Sequence, residues 1–90
     1  MEFKQRRLDS AAKLYARALK FAPGPEQQCV INSNLSVVHA GMKNGAEALK
    51  AADACIAIDV ENAKGHFRRA QALVVLNRIP EVRRLVSRLL

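Results

Sequence analysis

Residues 34 positions apart in this 90-residue chain echo one another, and that recurrence limits the fold more than any other feature. Ala48, Ala52 and Cys55 match Val82, Val86 and Leu89 at this offset, and Leu35, Ser36 and His39 match Arg69, Ala70 and Leu73. In the first match the spacing is four and then three residues, which marks one helix face; in the second, Ser36 to His39 and Ala70 to Leu73 are three apart. A looser copy stands upstream in Ala11, Tyr15, Ala18 and Pro23. There the offset from Ala11 to Ala48 is 37, which implies about three residues inserted around Gly24 to Gln28.

The helices themselves follow from apolar spacing and from breakers. A first helix is expected from about Glu2 to Ala22, with Leu8, Ala11, Ala12, Tyr15, Ala18 and Leu19 on its apolar face and Asp9 or Ser10 available as a cap. Pro23-Gly24-Pro25 stops it. A second spans Glu26 to Ala40 and ends at Gly41, with Cys29, Val30, Leu35, Val38 and His39 as its apolar positions. A third runs from Gly45 to about Ile58, and a fourth covers Asn62 to Leu76 with Phe67, Ala70, Leu73 and Val74 apolar. A fifth covers Ile79 to Leu89, with Pro80 tolerated in its first turn. Nothing alternates with period two over a useful length. Short polar connections make successive helices antiparallel, so the expected fold class is all-α.

A two-helix unit with a period of 34 residues resembles the tetratricopeptide repeat (TPR) family. The resemblance implies antiparallel helix-turn-helix repeats stacked as a right-handed superhelix of about two and a half repeats. Residues 1–23 would form a partial first repeat, 26–60 the second and 61–90 the third. The signature residues are degenerate: His39 stands where the family usually carries Tyr, and Val60 where it carries Pro.

The stretches "NSNLS" at 32–36 and "AKGHFRRAQALVVLNR" at 63–78 are similar to the TPR domains of cytosolic chaperone cofactors, namely the stress-inducible organising cochaperone and the large FK506-binding and cyclophilin immunophilins. In those domains a carboxylate clamp of two Lys, two Asn and an Arg holds the acidic C-terminal tail of a heat-shock chaperone. Asn34, Lys64 and Arg68 match three of the five positions and are the peptide-binding residues the resemblance implies. The other Lys and Asn would fall before Met1, and Phe3-Lys4 resembles the end of the helix that would carry them. The residue types suit the task. Lys64 and Arg68 are one turn apart on a helix, the Arg fork matches a carboxylate and Lys supplies a compact charge. Asn donates and accepts along an extended peptide.

Composition narrows the alternatives. The net charge is +7, which favours an acidic partner: a peptide, nucleic acid or an anionic surface. A basic nucleic-acid or surface binder is therefore the second reading. Single-strand binders also need stacking aromatics, and the aromatics here are Phe3, Tyr15, Phe21 and Phe67, at least two of them expected in the core. A third reading is a structural TPR fragment, as from a peptidyl-prolyl isomerase parent, that self-associates through the apolar residues Leu85, Val86, Leu89 and Leu90. Arg83, Arg84 and Arg88 read as a solvated face. No nucleophile elbow, phosphate loop or paired catalytic carboxylate occurs, so no catalytic residue, cofactor or metal is assigned. His39 and His66 lack partners at ligand spacing. Cys29 and Cys55 form no metal or CxxC motif and read as buried free thiols in a reducing compartment. No apolar run is long enough to span a bilayer. The basic amphipathic residues 3–21 resemble a presequence, but Glu2 and Asp9 count against one, which leaves a cytoplasmic location.

Overall fold

The computed structural model describes residues 2–22 and 24–89. Pro23, read above as part of the first break, lies outside the described residues, as do Met1 and Leu90. The protein is all-α: α1 (Glu2–Lys20), α2 (Pro25–Gly41), α3 (Gly45–Ile58), α4 (Ala63–Val75) and α5 (Ile79–Leu89). No strand occurs among the described residues.

The helix ends differ from the sequence reading in ways that have local causes. The first helix is unbroken across Asp9 and Ser10, so neither caps a start. Asp9 instead reaches Lys13 one turn on, at 3.4 Å. α2 begins at Pro25 itself, behind Gly24 in extended backbone, because proline lacks only an N–H that the first helical turn leaves unpaired. α2 has 17 residues and α4 has 13, yet their C-terminal ends are 34 apart. The inserted residues near Gly24 to Gln28 therefore add a turn of helix at the start of α2 rather than a longer loop.

The two turns that follow α2 and α4 are copies of one another. The Asn44 N–H donates to the His39 carbonyl at 2.8 Å and the Lys43 N–H to Ala40 at 3.0 Å. One period later, the Arg78 N–H donates to Leu73 at 2.8 Å and the Asn77 N–H to Val74 at 2.9 Å. Lys43 and Asn77 take left-handed backbone, φ 62° and 60°. This is the Schellman arrangement, which satisfies the last carbonyls of a helix and reverses the chain. Asn44 and Asn62 then cap α3 and α4 through their side-chain oxygens, accepting from the N–H of Glu47 and Gly65.

The five helices form a slab of 35 × 34 × 16 Å, two helices thick. α2 and α4 pack on each other in one layer. In the other layer α1 touches α2, α3 touches both α2 and α4, and α5 touches α4. Among the described residues α1 does not meet α3, nor α3 meet α5. The core lies where α2, α3 and α4 converge, and small residues set its thickness: Ala48, Ala52, Cys55, Ala72 and Leu73 are fully buried. The Ser36 hydroxyl donates to the Ala48 carbonyl at 2.8 Å and needs no larger space than alanine plus one hydrogen bond.

Two expectations about the core are corrected. Cys29 and Cys55 are buried as expected, but they are not free thiols: their sulfurs are joined in a disulfide between α2 and α3. The Cα atoms lie 4.5 Å apart, inside the roughly 4.4–6.8 Å span of bridged pairs. Antiparallel packing brings together residues 26 apart in sequence. Second, Val30 and Phe67 are not covered. They are 60% and 55% exposed, and Phe21 is 81% exposed. The apolar stripes of α2 and α4 are wider than the surfaces their neighbours cover, so part of each faces solvent.

Candidate peptide groove

The direction of α2 and α4 decides which residues can meet. The start of α2 (Pro25, Glu26) shares a concavity with the end of α3 (Ile58, Asp59) and the cap of α4 (Asn62). The end of α2 (Val37, Ala40, Gly41) shares another with the second half of α4 (Gln71, Val74, Val75). α2 and α4 therefore run side by side in the same direction, with α3 returning between their ends.

The second concavity is lined by Val37, Ala40 and Gly41 of α2 and by Gln71, Val74 and Val75 of α4, the residues that lie 34 positions further on. The sequence period is thus a spatial register across the α2–α4 groove. One turn closer to the helix starts, the residues related by the same 34-residue offset are Asn34 with Arg68 and Val30 with Lys64. On α2 the residues Val30, Asn34, Val37 and Gly41 follow an i, i+4, i+7, i+11 stripe, and Lys64, Arg68, Gln71 and Val75 form the matching stripe on α4.

The three residues singled out from the sequence lie on α2 and α4 and differ in freedom. Lys64 is exposed, and Asn34 and Arg68 are half-buried. Arg68 donates from Nη1 to Oε1 of Gln71 at 3.0 Å, and its guanidinium carbon lies 5.4 Å from the ring centroid of Phe67. Its Nε is buried without a hydrogen-bond partner, an open donor. Among the described residues no hydrogen bond joins Asn34 to Arg68. Lys64 and Arg68 are one turn apart on α4, and Asn34 lies on α2.

Sequence reasoning did not find the rest of the site. Val37 and Val74, 38% and 53% exposed, line the concavity beside Gln71 with apolar surface, and Phe67 lies against the Arg68 guanidinium. Gln71 holds the guanidinium. The signal was present: Val37 and Gln71 stand three residues past Asn34 and Arg68, at the same 34-residue offset.

Other polar groups play structural parts. His66 Nε2 lies 2.6 Å from the Val60 carbonyl, which fixes the ring proton on that nitrogen. Among the described residues no group of three or more His, Cys, Asp or Glu is placed to hold a metal ion. No helix among them is long and apolar enough to cross a membrane. No family model matches the chain, and no solved structure matches it.

Proposed function

We propose that this protein is a peptide-binding module of the TPR type, a co-chaperone-like adaptor that takes the acidic C-terminal tail of a heat-shock chaperone into the α2–α4 groove and carries out no catalysis. The observation that supports the reading is the groove between α2 and α4, lined by residues 34 apart; in this reading the same register continues toward the helix starts, with Lys64 and Arg68 on one wall and Asn34 on the other. In this reading the tail lies extended along the groove. A terminal carboxylate displaces the neutral Gln71 amide from the Arg68 guanidinium, exchanging a neutral acceptor for a charged one. Lys64 takes a second carboxylate, Asn34 bonds the peptide backbone, and Val37, Val74 and Phe67 pack on apolar tail side chains.

The partner class follows from the net charge of +7 and from the clamp residues together. Calorimetry with a synthetic peptide ending in Glu-Glu-Val-Asp tests it, comparing the free carboxylate with the amidated form. The free peptide is expected to bind about tenfold more tightly, the value of one charge-assisted hydrogen bond. Its dissociation constant is expected to be on the order of tens of micromolar. Arg68→Ala should bring the two peptides to equal affinity, and Lys20→Ala should not. Equal binding of both peptides by the unaltered protein, or preferential binding of a poly-uridine strand at physiological salt, would remove the adaptor reading in favour of general polyanion attraction.

A cytoplasmic location belongs to the same reading. The Cys29–Cys55 bridge weighs the other way, because disulfides persist in oxidising compartments and are rare in the cytosol. Thiol counting on protein isolated from cells under acid quench decides between them: two reactive thiols in denaturant fit the cytoplasm, and none fits an oxidising compartment.

A further inference from the structure

A second concavity lies on the other side of α4. Where α3 and α5 part, Arg69 reaches from α4 to Asp53 of α3 at 3.0 Å and lines a cavity of about 260 Å³ together with Arg78, Glu81, Arg84, Leu85 and Arg88. Arg68 and Arg69 are adjacent in sequence but partner differently, the first with Gln71 of its own helix and the second with Asp53 of α3. Buried Leu85 stands among the lining residues.

Four guanidinium groups from α4, the α4–α5 turn and α5 converge on this cavity, and the carboxylate among its lining residues is that of Glu81. Glu81 is already held by the Arg78 fork, with Nε and Nη2 at 2.5 and 2.6 Å. Arg69 has Asp53. Arg84 is left with the Pro80 carbonyl at 3.5 Å, and among the described residues Arg88 meets no carboxylate. Arg84 and Arg88 are four apart on α5, a spacing at which like charges repel. A solvated basic face would spread its charges. Here Arg83, next to Arg84, stays outside the cavity while residues from separate elements converge on it.

We infer that this cavity binds a clustered phosphate anion, two or more phosphate groups within one small ligand. Guanidinium forks match phosphate oxygens in pairs, and the volume corresponds to about nine water molecules at ~30 Å³ each, more than one phosphate needs. Arg84 and Arg88 supply the unpaired charge. Arg69 and Arg78 supply donors whose present partners are the exposed Asp53 and the half-buried Glu81. The site is independent of the peptide groove and stands whether or not that reading holds.

The test uses the full chain and inorganic pyrophosphate in calorimetry at about 150 mM salt, where nonspecific surface attraction is screened. The expected result is saturable binding. Arg84→Ala with Arg88→Ala should weaken it by about tenfold or more, since two charge-assisted contacts are lost. Arg83→Ala with Lys50→Ala removes the same charge from exposed positions and should change it by less than about twofold. Glu81→Gln, which frees the Arg78 fork, should tighten it. Circular dichroism checks that each variant keeps its helix content. Vesicles of phosphatidylcholine with and without a bisphosphorylated inositol lipid separate the two sources of the ligand. Sedimentation with the phosphorylated lipid, competed by pyrophosphate, assigns a headgroup; pyrophosphate binding without sedimentation assigns a soluble anion. Absence of pyrophosphate binding, or equal loss in the two double variants, overturns the proposal.

Discussion

The pairs α2–α3 and α4–α5 share a turn but not the way they are held. Both turns use the same hydrogen bonds and the same left-handed residue, at Lys43 and Asn77. Beyond the turn they diverge. α2 and α3 meet through the Ser36–Ala48 hydrogen bond, the Cys29–Cys55 bridge and fully buried Ala48 and Ala52. On α5, Leu85 is buried and Val86 and Leu89 stay 43% and 54% exposed, and the helix is edged by the Arg78–Glu81 pair. The backbone motif repeats because a chain reversal needs only local geometry. Packing does not repeat, because the inner pair has helices on both sides and α5 has a neighbour on one. Surface ion pairs contribute roughly 0–1 kcal/mol each, so the outer pair rests on much less.

The sharpest way to break this comparison is to cut a leucine in each region. Leu73, fully buried where α4 meets the core, should cost about 3 kcal/mol or more as Leu73→Ala. Leu89→Ala on α5 should cost under about 0.5 kcal/mol. Urea midpoints read both. Similar losses would mean that α5 is packed as firmly as the core.

Two glycines give the next largest contrast. A Cβ on Gly45 would stand 2.7 Å from Cγ and 2.9 Å from Cδ2 of Leu76, where the start of α3 meets the end of α4. Gly45→Ala should therefore destabilise by about 1–3 kcal/mol despite the better helix propensity of alanine. A Cβ on Gly41 meets the flexible end of Leu8 at 3.3 Å, so Gly41→Ala should be neutral or stabilising by up to about 1 kcal/mol. Thermal midpoints moving in opposite directions would establish that α3 and α4 approach more closely than α1 and α2.

The sequence made some of this legible and hid the rest for physical reasons. The five helices could be read because their breakers act locally: Gly24-Pro25, Gly41 and the polar turns around Asn44, Asn62 and Asn77 each end or start a helix by their own backbone preference. Asn34, Lys64 and Arg68 could be placed on α2 and α4 because a 34-residue period maps onto two neighbouring helices. The two turns could not be recognised as copies, since Gly-Met-Lys-Asn and Val-Leu-Asn-Arg differ at every equivalent position; the motif asks for one left-handed backbone, which Lys43 conceals. The exposure of Val30 and Phe67 was hidden because spacing gives the width of an apolar stripe and not what covers it. The cysteine pair and the arginine cavity were hidden because both arise from contacts between separate helices. Arg84 and Arg88 look no different from Arg83 until α5 is laid against α4.

Ser36 tests the inner pair by itself. Ser36→Ala removes the hydroxyl that bonds the Ala48 carbonyl and should cost about 1 kcal/mol. The equivalent position one period on is already alanine, Ala70. A loss near zero would show that small size, and not the hydrogen bond, is what α2 needs at its contact with α3.

The smallest effect is expected at the turns, and it isolates backbone from side chain. Lys43 and Asn77 hold nearly the same left-handed φ, 62° and 60°, and their N–H groups bond equivalent carbonyls. For an ordinary side chain that conformation costs roughly 1–2 kcal/mol, and asparagine is one of the few residues that adopts it readily. Glycine removes the cost but gives the unfolded chain more freedom, which offsets about 0.4–1 kcal/mol. Lys43→Gly should then gain on the order of 0.5 kcal/mol, the difference between those terms. Asn77→Gly should gain nothing or lose a few tenths, because there is little strain to relieve. The measurement is the change in denaturation midpoint of each variant against the parent, with the double variant to test additivity. A larger gain at Asn77 than at Lys43 would mean that the second turn is strained by its attachment to α5, and that the two reversals, alike in hydrogen bonding, are not alike in energy.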